Sequence, residues 1–264
     1  MTSGDARFDF GENWSKFNTS LTVEQRQSAR ESLTARLGDI RGLSFLDIGA
    51  GSGLFIDAAR ELGADVRSFD FDPARPDIER GDVLDWDYMA SLGQYDIVYA
   101  WGVLHHTGRM WDAIHNAARA VRPDGRLFVS IYNDQGRKSA RWRGMKRLYN
   151  RLPRALRQPF VVLVMAPWEL RSAILLTLRG RSYLGVWRNY PRGMNRWRDL
   201  VDWVGGYPFE VAKPEEVFDF LRDRGFALEF MRTCGGGLGC NEFLFRLDGG
   251  AAHDEPSSSP SSRT

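Results

Sequence analysis

Only two cysteines, Cys234 and Cys240, occur in 264 residues. They leave no second pair for a zinc site and no disulfide framework, which fits a reducing compartment. The first residues, MTSGDARFDFGENW, contain no apolar run, so no secretory signal is expected. No stretch of about 18 uncharged apolar residues is present, and no transmembrane helix is expected. No His or carboxylate set has the spacing of a metal site, so no metal is expected either. Hydrophobic residues make up 43% and charged residues 27%, which excludes a largely disordered or collagen-like chain. Acids are scarce in one place. Residues 135–200 hold 16 Lys and Arg but only Glu169 and Asp199, a formal charge of +14. The remainder holds 20 basic and 32 acidic residues, or −12, within a total of +2. Such a split points to a segment that faces something anionic: lipid headgroups, nucleic acid or a phosphorylated substrate.

What is present is a rhythm of short apolar strands and helical stretches. Residues 21–38 read as a helix stopped by Gly38, after an aromatic-rich arm. LSFLDIG (43–49), ADVRSFD (64–70), YDIVYAW (95–101) and RLFVSIY (126–132) read as strands, and ERGDV (79–83) as a short strand end. LFIDAAREL (54–62) reads as a helix, and Trp111, Ile114, Ala118 and Val121 give another helix a buried face, closed by Pro123-Asp124-Gly125. Alternating units of this kind predict a mostly parallel sheet with helices on both faces. Residues 133–206 break the rhythm and read as mostly helical. KPEEVFDFLRDRG (213–225) then reads as a helix, and ALEFMRT (227–233) and NEFLFRL (241–247) as paired strands joined by CGGGLG. The tail, 248–264, is low in apolar content and is expected to be disordered.

Asp47-Ile48-Gly49-Ala50-Gly51-Ser52-Gly53 follows a strand and opens a helix. Its glycines allow a tight turn and close approach of a ligand to the backbone, and the helix start offers unpaired N–H groups. Asp47, ahead of the loop, would repel a pyrophosphate and favour a cationic group. Asp70 ends the next strand, where it could take two ribose hydroxyls. Asp82, in Gly81-Asp82-Val83, could accept from an exocyclic amine. Together these suit a nucleoside joined to an amino acid, without phosphates. A nicotinamide fingerprint fits less well, because the third glycine arrives one residue early.

The blocks DIGAGSG, FDFDP, RGDVLD, YDIVYAWGVLHHT and RPDGRLFVSIYND resemble the class I S-adenosylmethionine-dependent methyltransferases, in that family's order and spacing. The resemblance covers roughly residues 43–133, and more loosely 213–247, and looks closest to the ubiquinone-biosynthesis and natural-product O-methyltransferase branch. It implies an α/β, Rossmann-like seven-stranded sheet with its last strand antiparallel and a helical insertion after strand five. It implies S-adenosyl-L-methionine as cofactor, with Asp47, Gly49, Gly51 and Gly53 holding the methionine part, Asp70 the ribose, and Phe71, Asp82 and Val83 the adenine. Trp101, His105 and His106 would lie on one loop facing the methyl group, and Tyr132, Asn133 and Asp134 on another. His105 or His106 is the candidate base, because imidazole titrates near neutral pH. Tyr132, Asn133 and Trp14 are the candidate acceptor contacts. The resemblance to the O-methyltransferase branch implies a hydroxyl oxygen as methyl acceptor, and Asn133-Asp134 departs from the Asn-Pro-Pro-Tyr or Asp-Pro-Pro-Tyr motif of amino-methylating nucleic-acid enzymes.

By this reading residues 1–42 form an arm and helix that serve as a cofactor lid. Residues 43–247 form the methyltransferase domain, interrupted by a basic, apolar helical substrate cap at 133–206. Within the cap, Arg137, Lys138, Arg141, Arg143, Lys146, Arg147, Arg151, Arg154 and Arg157 place charge at helical spacing. The apolar runs FVVLVMAPW (160–168) and SAILLTL (172–178) follow, with Trp142, Trp168, Trp187 and Trp197 along the segment. That mixture suits a hydrophobic or lipid-linked acceptor and an anionic membrane surface. The expected setting is cytoplasmic, with peripheral membrane contact. Two alternatives stand beside it: a tRNA methyltransferase that uses the basic insertion, and a non-catalytic regulator that binds the cofactor.

Overall fold

The computed structural model describes residues 23–183, 185 and 196–249. The arm 1–22, which contains Trp14, the stretch around Trp187 and the tail from residue 250 lie outside the described residues.

Short, apolar segments form the sheet's interior because strands buried on both faces need near-continuous hydrophobic runs. They are β1 (Ser44–Ile48) and β4 (Tyr95–Trp101) at the centre, β2 (Asp65–Asp70) and β3 (Glu79–Arg80) to one side, and β5 (Val121–Tyr132), β7 (Cys240–Leu247) and β6 (Phe226–Arg232) to the other. The spatial order is β3-β2-β1-β4-β5-β7-β6. β1 to β5 are parallel, while β7 runs antiparallel to both β5 and β6. The expected seven-stranded sheet with an antiparallel last strand is therefore present.

Helices cover both faces. Ala29, Leu33 and Leu37, four residues apart, turn one stripe of α1 (Val23–Leu37) onto Phe45, Tyr99 and Phe128, beside Ala58 and Ala59 of α2 (Leu54–Glu61). On the other face Met110, Ala113, Ile114 and Ala117 of α4 (Met110–Arg119) pack with Val217 and Leu221 of α8 (Pro214–Arg222). A short helix, α3 (Trp86–Ser91), escapes the sequence reading. Its signal is Asp85, whose carboxylate accepts from the Tyr88 N–H at 3.1 Å.

Val121 belongs to β5 and not to α4, a correction to the expected helix face. Pro123-Asp124-Gly125, expected to close the helix, lies within the strand as an irregularity. The register jumps from Tyr95–Val121 to Ile97–Arg126, and Asp124 takes a φ of 60°.

The insertion is helical, as read. It comprises α5 (Arg137–Arg151), α6 (Arg154–Leu178) and α7 (Arg196–Gly205). It builds its own small core, in which Trp142 and Tyr149 of α5 meet Val161 and Met165 of α6, Leu200 and Val204 of α7, and Tyr207 and Phe209 beyond it. One expectation changes. α6 is a single 25-residue helix that, by length and composition, could cross a membrane, although Pro159, Pro167 and Glu169 interrupt its apolar sequence.

Candidate active site

The sheet order reverses between β1 and β4, and ligands of open α/β sheets settle at such a crevice. The glycine loop sits there. Gly49, Gly51 and Gly53 all have positive φ (75°, 52° and 79°), which is why residues with a Cβ are excluded. A Cβ on Gly49 would also lie 2.5 Å from a methyl of Val103. Gly53 caps α2 against Arg75, which makes a two-pronged ion pair with Asp57 at 2.8 and 2.9 Å. Arg75 thus ties the start of α2 to the 71–78 loop. Its role was not legible beforehand.

A cavity of about 830 Å³ opens beside this loop. On one side it is lined by Asp47, Gly49, Gly51, Asp70, Phe71, Asp82 and Val83. Asp70 accepts from the N–H groups of Gly51 and Asp72, each at 2.9 Å, so it sets the loop's shape as well as facing the cavity. Asp82 accepts from the Leu84 N–H at 2.9 Å. Phe71 is 53% exposed at the cavity's lip. Asp47 is buried, and burial, with Asp70 close by, pushes its carboxyl up to about 8. No described residue supplies it with a cation. A buried acid facing a cavity without a cationic partner fits a ligand that brings an ammonium group, and S-adenosylmethionine has one.

The other side of the cavity is lined by Trp101, His105, His106 and Tyr132. The two imidazoles occupy a 3-10 turn (Leu104–His106) directly after β4. Glu210 holds the next turn by accepting from the N–H groups of Gly108 and Met110 at 2.9–3.2 Å. His106 Nδ1 lies 2.7 Å from the Pro208 carbonyl oxygen. A carbonyl only accepts, so Nδ1 carries the proton and Nε2 is the basic nitrogen. Burial and the nearby Lys146 push this imidazole down to about 3. His105 is fully buried and pushed well below its ordinary value by burial and then by His106. Neither of its ring nitrogens has a hydrogen-bond partner among the described residues. Its ring lies 4.0 Å from that of Tyr132, so its position is that of a packing group.

Three candidates sit differently from the rest. Asn133 lies outside the cavity wall, because its amide is committed to the β6–β7 hairpin. Nδ2 donates to Gly237 at 3.4 Å and Oδ1 accepts from Asn241 at 3.1 Å. Gly53 shapes the loop from behind the wall. Trp14 lies outside the described residues.

The cavity also recruits groups that sequence spacing did not reveal. Asp202 and Trp203 come from the insertion, Tyr207 from just beyond it, and Arg36, Arg232 and Glu242 from α1, β6 and β7. Glu242 is held at 2.6 Å by Arg232 and 3.5 Å by Arg36. Behind Trp203 lies Lys146, fully buried, donating to the Trp203 carbonyl oxygen with its ammonium 4.9 Å from the Trp203 and Phe209 rings. Burial pushes it down to about 7 against the opposing pull of Asp202.

A glycine loop at the switch point, acids at the carboxyl ends of β1 and β2 and just after β3, and an imidazole pair after β4 define a Rossmann-like methyltransferase site. The family model for the methyltransferase domain matches residues 23–160. The chain is 31% identical over 210 residues to the ubiquinone biosynthesis O-methyltransferase of Xanthomonas oryzae pv. oryzae, covering 75% of this chain and 67% of that protein. It is 29% identical over 118 residues to the Salmonella paratyphi A protein of the same name, covering 40% of this chain and 49% of that one. The chain thus spans about half the length of that relative. An O-methyltransferase family protein from Burkholderia thailandensis shares the fold, with a TM-score of 0.52 and 14% identity over 90% of this chain and 60% of that one. The chain belongs to the class I S-adenosylmethionine-dependent methyltransferase family.

Proposed function

We propose that this chain moves the methyl group of S-adenosylmethionine to a hydroxyl oxygen of a small, hydrophobic or lipid-linked acceptor. The observation that carries the reading is one continuous cavity with a buried acid and the glycine loop at one side and the Nε2-basic imidazole of His106 at the other. When bound, the cofactor supplies an electrophilic methyl group on a sulfonium. Asp47 would hold its ammonium, Asp70 its ribose hydroxyls, and Phe71, Asp82 and Val83 its adenine. Trp101, Tyr132 and Trp203 would form the apolar wall that excludes water and orients the acceptor. His106 Nε2 would accept a hydrogen bond from the hydroxyl and orient its oxygen towards the methyl group, a positioning role, because an imidazole pushed down to about 3 is a weak proton acceptor. The relatives named for ubiquinone biosynthesis support an oxygen acceptor.

His106→Gln is expected to cut methyl transfer by about 100-fold while cofactor affinity changes by less than about threefold, the scale of loss when an acceptor is misplaced. Equal losses in both would contradict the positioning role. The imidazole is neutral above about pH 3, because its lowered value keeps the base form present as pH falls. The pH profile of kcat should therefore show no inflection near 6.5. An acid limb there, removed by His106→Gln, would show that the imidazole titrates near its ordinary value and acts as a base, and would contradict the positioning role.

Asp47 makes a separate prediction. With its value raised to about 8, it is protonated at pH 7 in the free protein, and an ammonium partner favours its carboxylate. Binding of S-adenosylhomocysteine at pH 7 should release about one proton. Calorimetry in buffers of different ionisation enthalpy measures this, and a buffer-independent enthalpy would contradict it.

A further inference from the structure

We propose that the outer face of α6 is a docking surface for an anionic lipid bilayer, lying in the interface and not spanning it. The surface stands independently of the acceptor's identity. Leu156, Leu163, Leu170, Ile174 and Leu178 recur at spacings of seven and four residues, which places them on one stripe of a helix. All five are exposed, at 52–78%. The stripe runs the length of a 25-residue helix, roughly 37 Å at 1.5 Å per residue. Only Val161 and Met165 of this helix are buried. An apolar stripe of this length is far beyond the scattered single leucines of an ordinary surface.

Charge selects the occupant. Arg154 begins the helix, Arg171 flanks the stripe and Arg179 follows its end, while Glu169 is the helix's only acid. Glu169 is neutralised by Arg196 of α7, at 2.6 and 3.0 Å. α5 adds exposed Arg141, Arg147 and Arg151 to the same insertion. A second copy of this chain would bring two segments of formal charge +14 together, whereas anionic headgroups neutralise them. Trp168, half exposed, supplies an indole of the kind that settles at the headgroup boundary.

Packing rules out a span. α6 sets Val161 and Met165 into a core shared with Leu200 and Val204, and the Glu169–Arg196 pair fastens its middle to α7. Crossing a bilayer would strip away both. Lying in the interface keeps both and buries only the outer stripe, with the basic residues at headgroup level.

Flotation of the full chain tests this, with vesicles of phosphatidylcholine alone and of phosphatidylcholine mixed with phosphatidylglycerol. The chain should float with the anionic vesicles and stay at the bottom with the neutral ones, and raised salt should weaken the binding. Leu163→Glu with Ile174→Glu should reduce flotation about tenfold or more, as expected for two lost apolar contacts. Arg171→Glu should reduce it by a smaller factor. All variants should keep wild-type affinity for S-adenosylhomocysteine, which shows that they are folded with an intact site. Absence of flotation with anionic vesicles would overturn the proposal, as would equal flotation of the Leu163/Ile174 variant or indifference to lipid charge. Self-association through this face in place of flotation would assign it to a second copy and would also overturn it.

Discussion

Asp70→Ala is expected to lower affinity for S-adenosylhomocysteine by about 100-fold or more. Two effects act together. The carboxylate is the group placed to accept from two ribose hydroxyls, and hydrogen bonds to a charged acceptor contribute about 1.5–3 kcal/mol each. It also accepts from the Gly51 and Asp72 N–H groups, so its removal loosens the loop that shapes the site. Asp70→Asn separates the two, since its amide oxygen can still accept from backbone N–H groups. It should keep most of the thermal stability and lose most of the binding. Near wild-type binding in Asp70→Ala would mean that this acid does not face the ligand.

Gly49→Ala is the second large effect. A φ of 75° is strained for alanine, and the new Cβ would lie 2.5 Å from a Val103 methyl. The loop must shift, and the shift propagates to the backbone N–H groups at the start of α2. The expected cost is about 1–3 kcal/mol of stability from the strained φ, the range for a non-glycine residue held in the left-handed region. Ligand binding should fall to near the limit of detection. Adding Val103→Ala takes away the two methyls but leaves the residue 103 Cβ at 2.9 Å, so it eases the clash and leaves the strain, and the double variant should regain a small part of the binding and little of the stability. Full recovery of both would show that φ at residue 49 is unimportant.

What could be read from the sequence was local in origin. DIGAGSG announces a turn because glycines at three alternate positions have no other economical use between a strand and a helix. Asp70 and Asp82 were legible because the ends of parallel strands converge on one edge. The groups that escaped reading reach the cavity through tertiary packing. Asp202, Trp203 and Tyr207 lie about 100 residues from the imidazoles they approach, and Arg36 meets Glu242 across 206 positions. Lys146 hides in an arginine-rich helix whose charge pattern predicts solvent exposure, yet its own position points at Trp203 and Phe209. Glu169 and Arg171 made α6 read as separate apolar runs, although one continuous helix contains them. Asn133 shows the opposite failure. Its place after β5 suggested an acceptor contact, while its amide closes the neighbouring hairpin.

The central claim is that the crevice beside β1 binds S-adenosylmethionine for methyl transfer. Calorimetric titration of the full chain with S-adenosylhomocysteine tests it most directly. The account predicts one site with a dissociation constant on the order of micromolar. Folded protein that binds none of it would contradict the account and leave Asp47, Asp70 and Asp82 without a ligand.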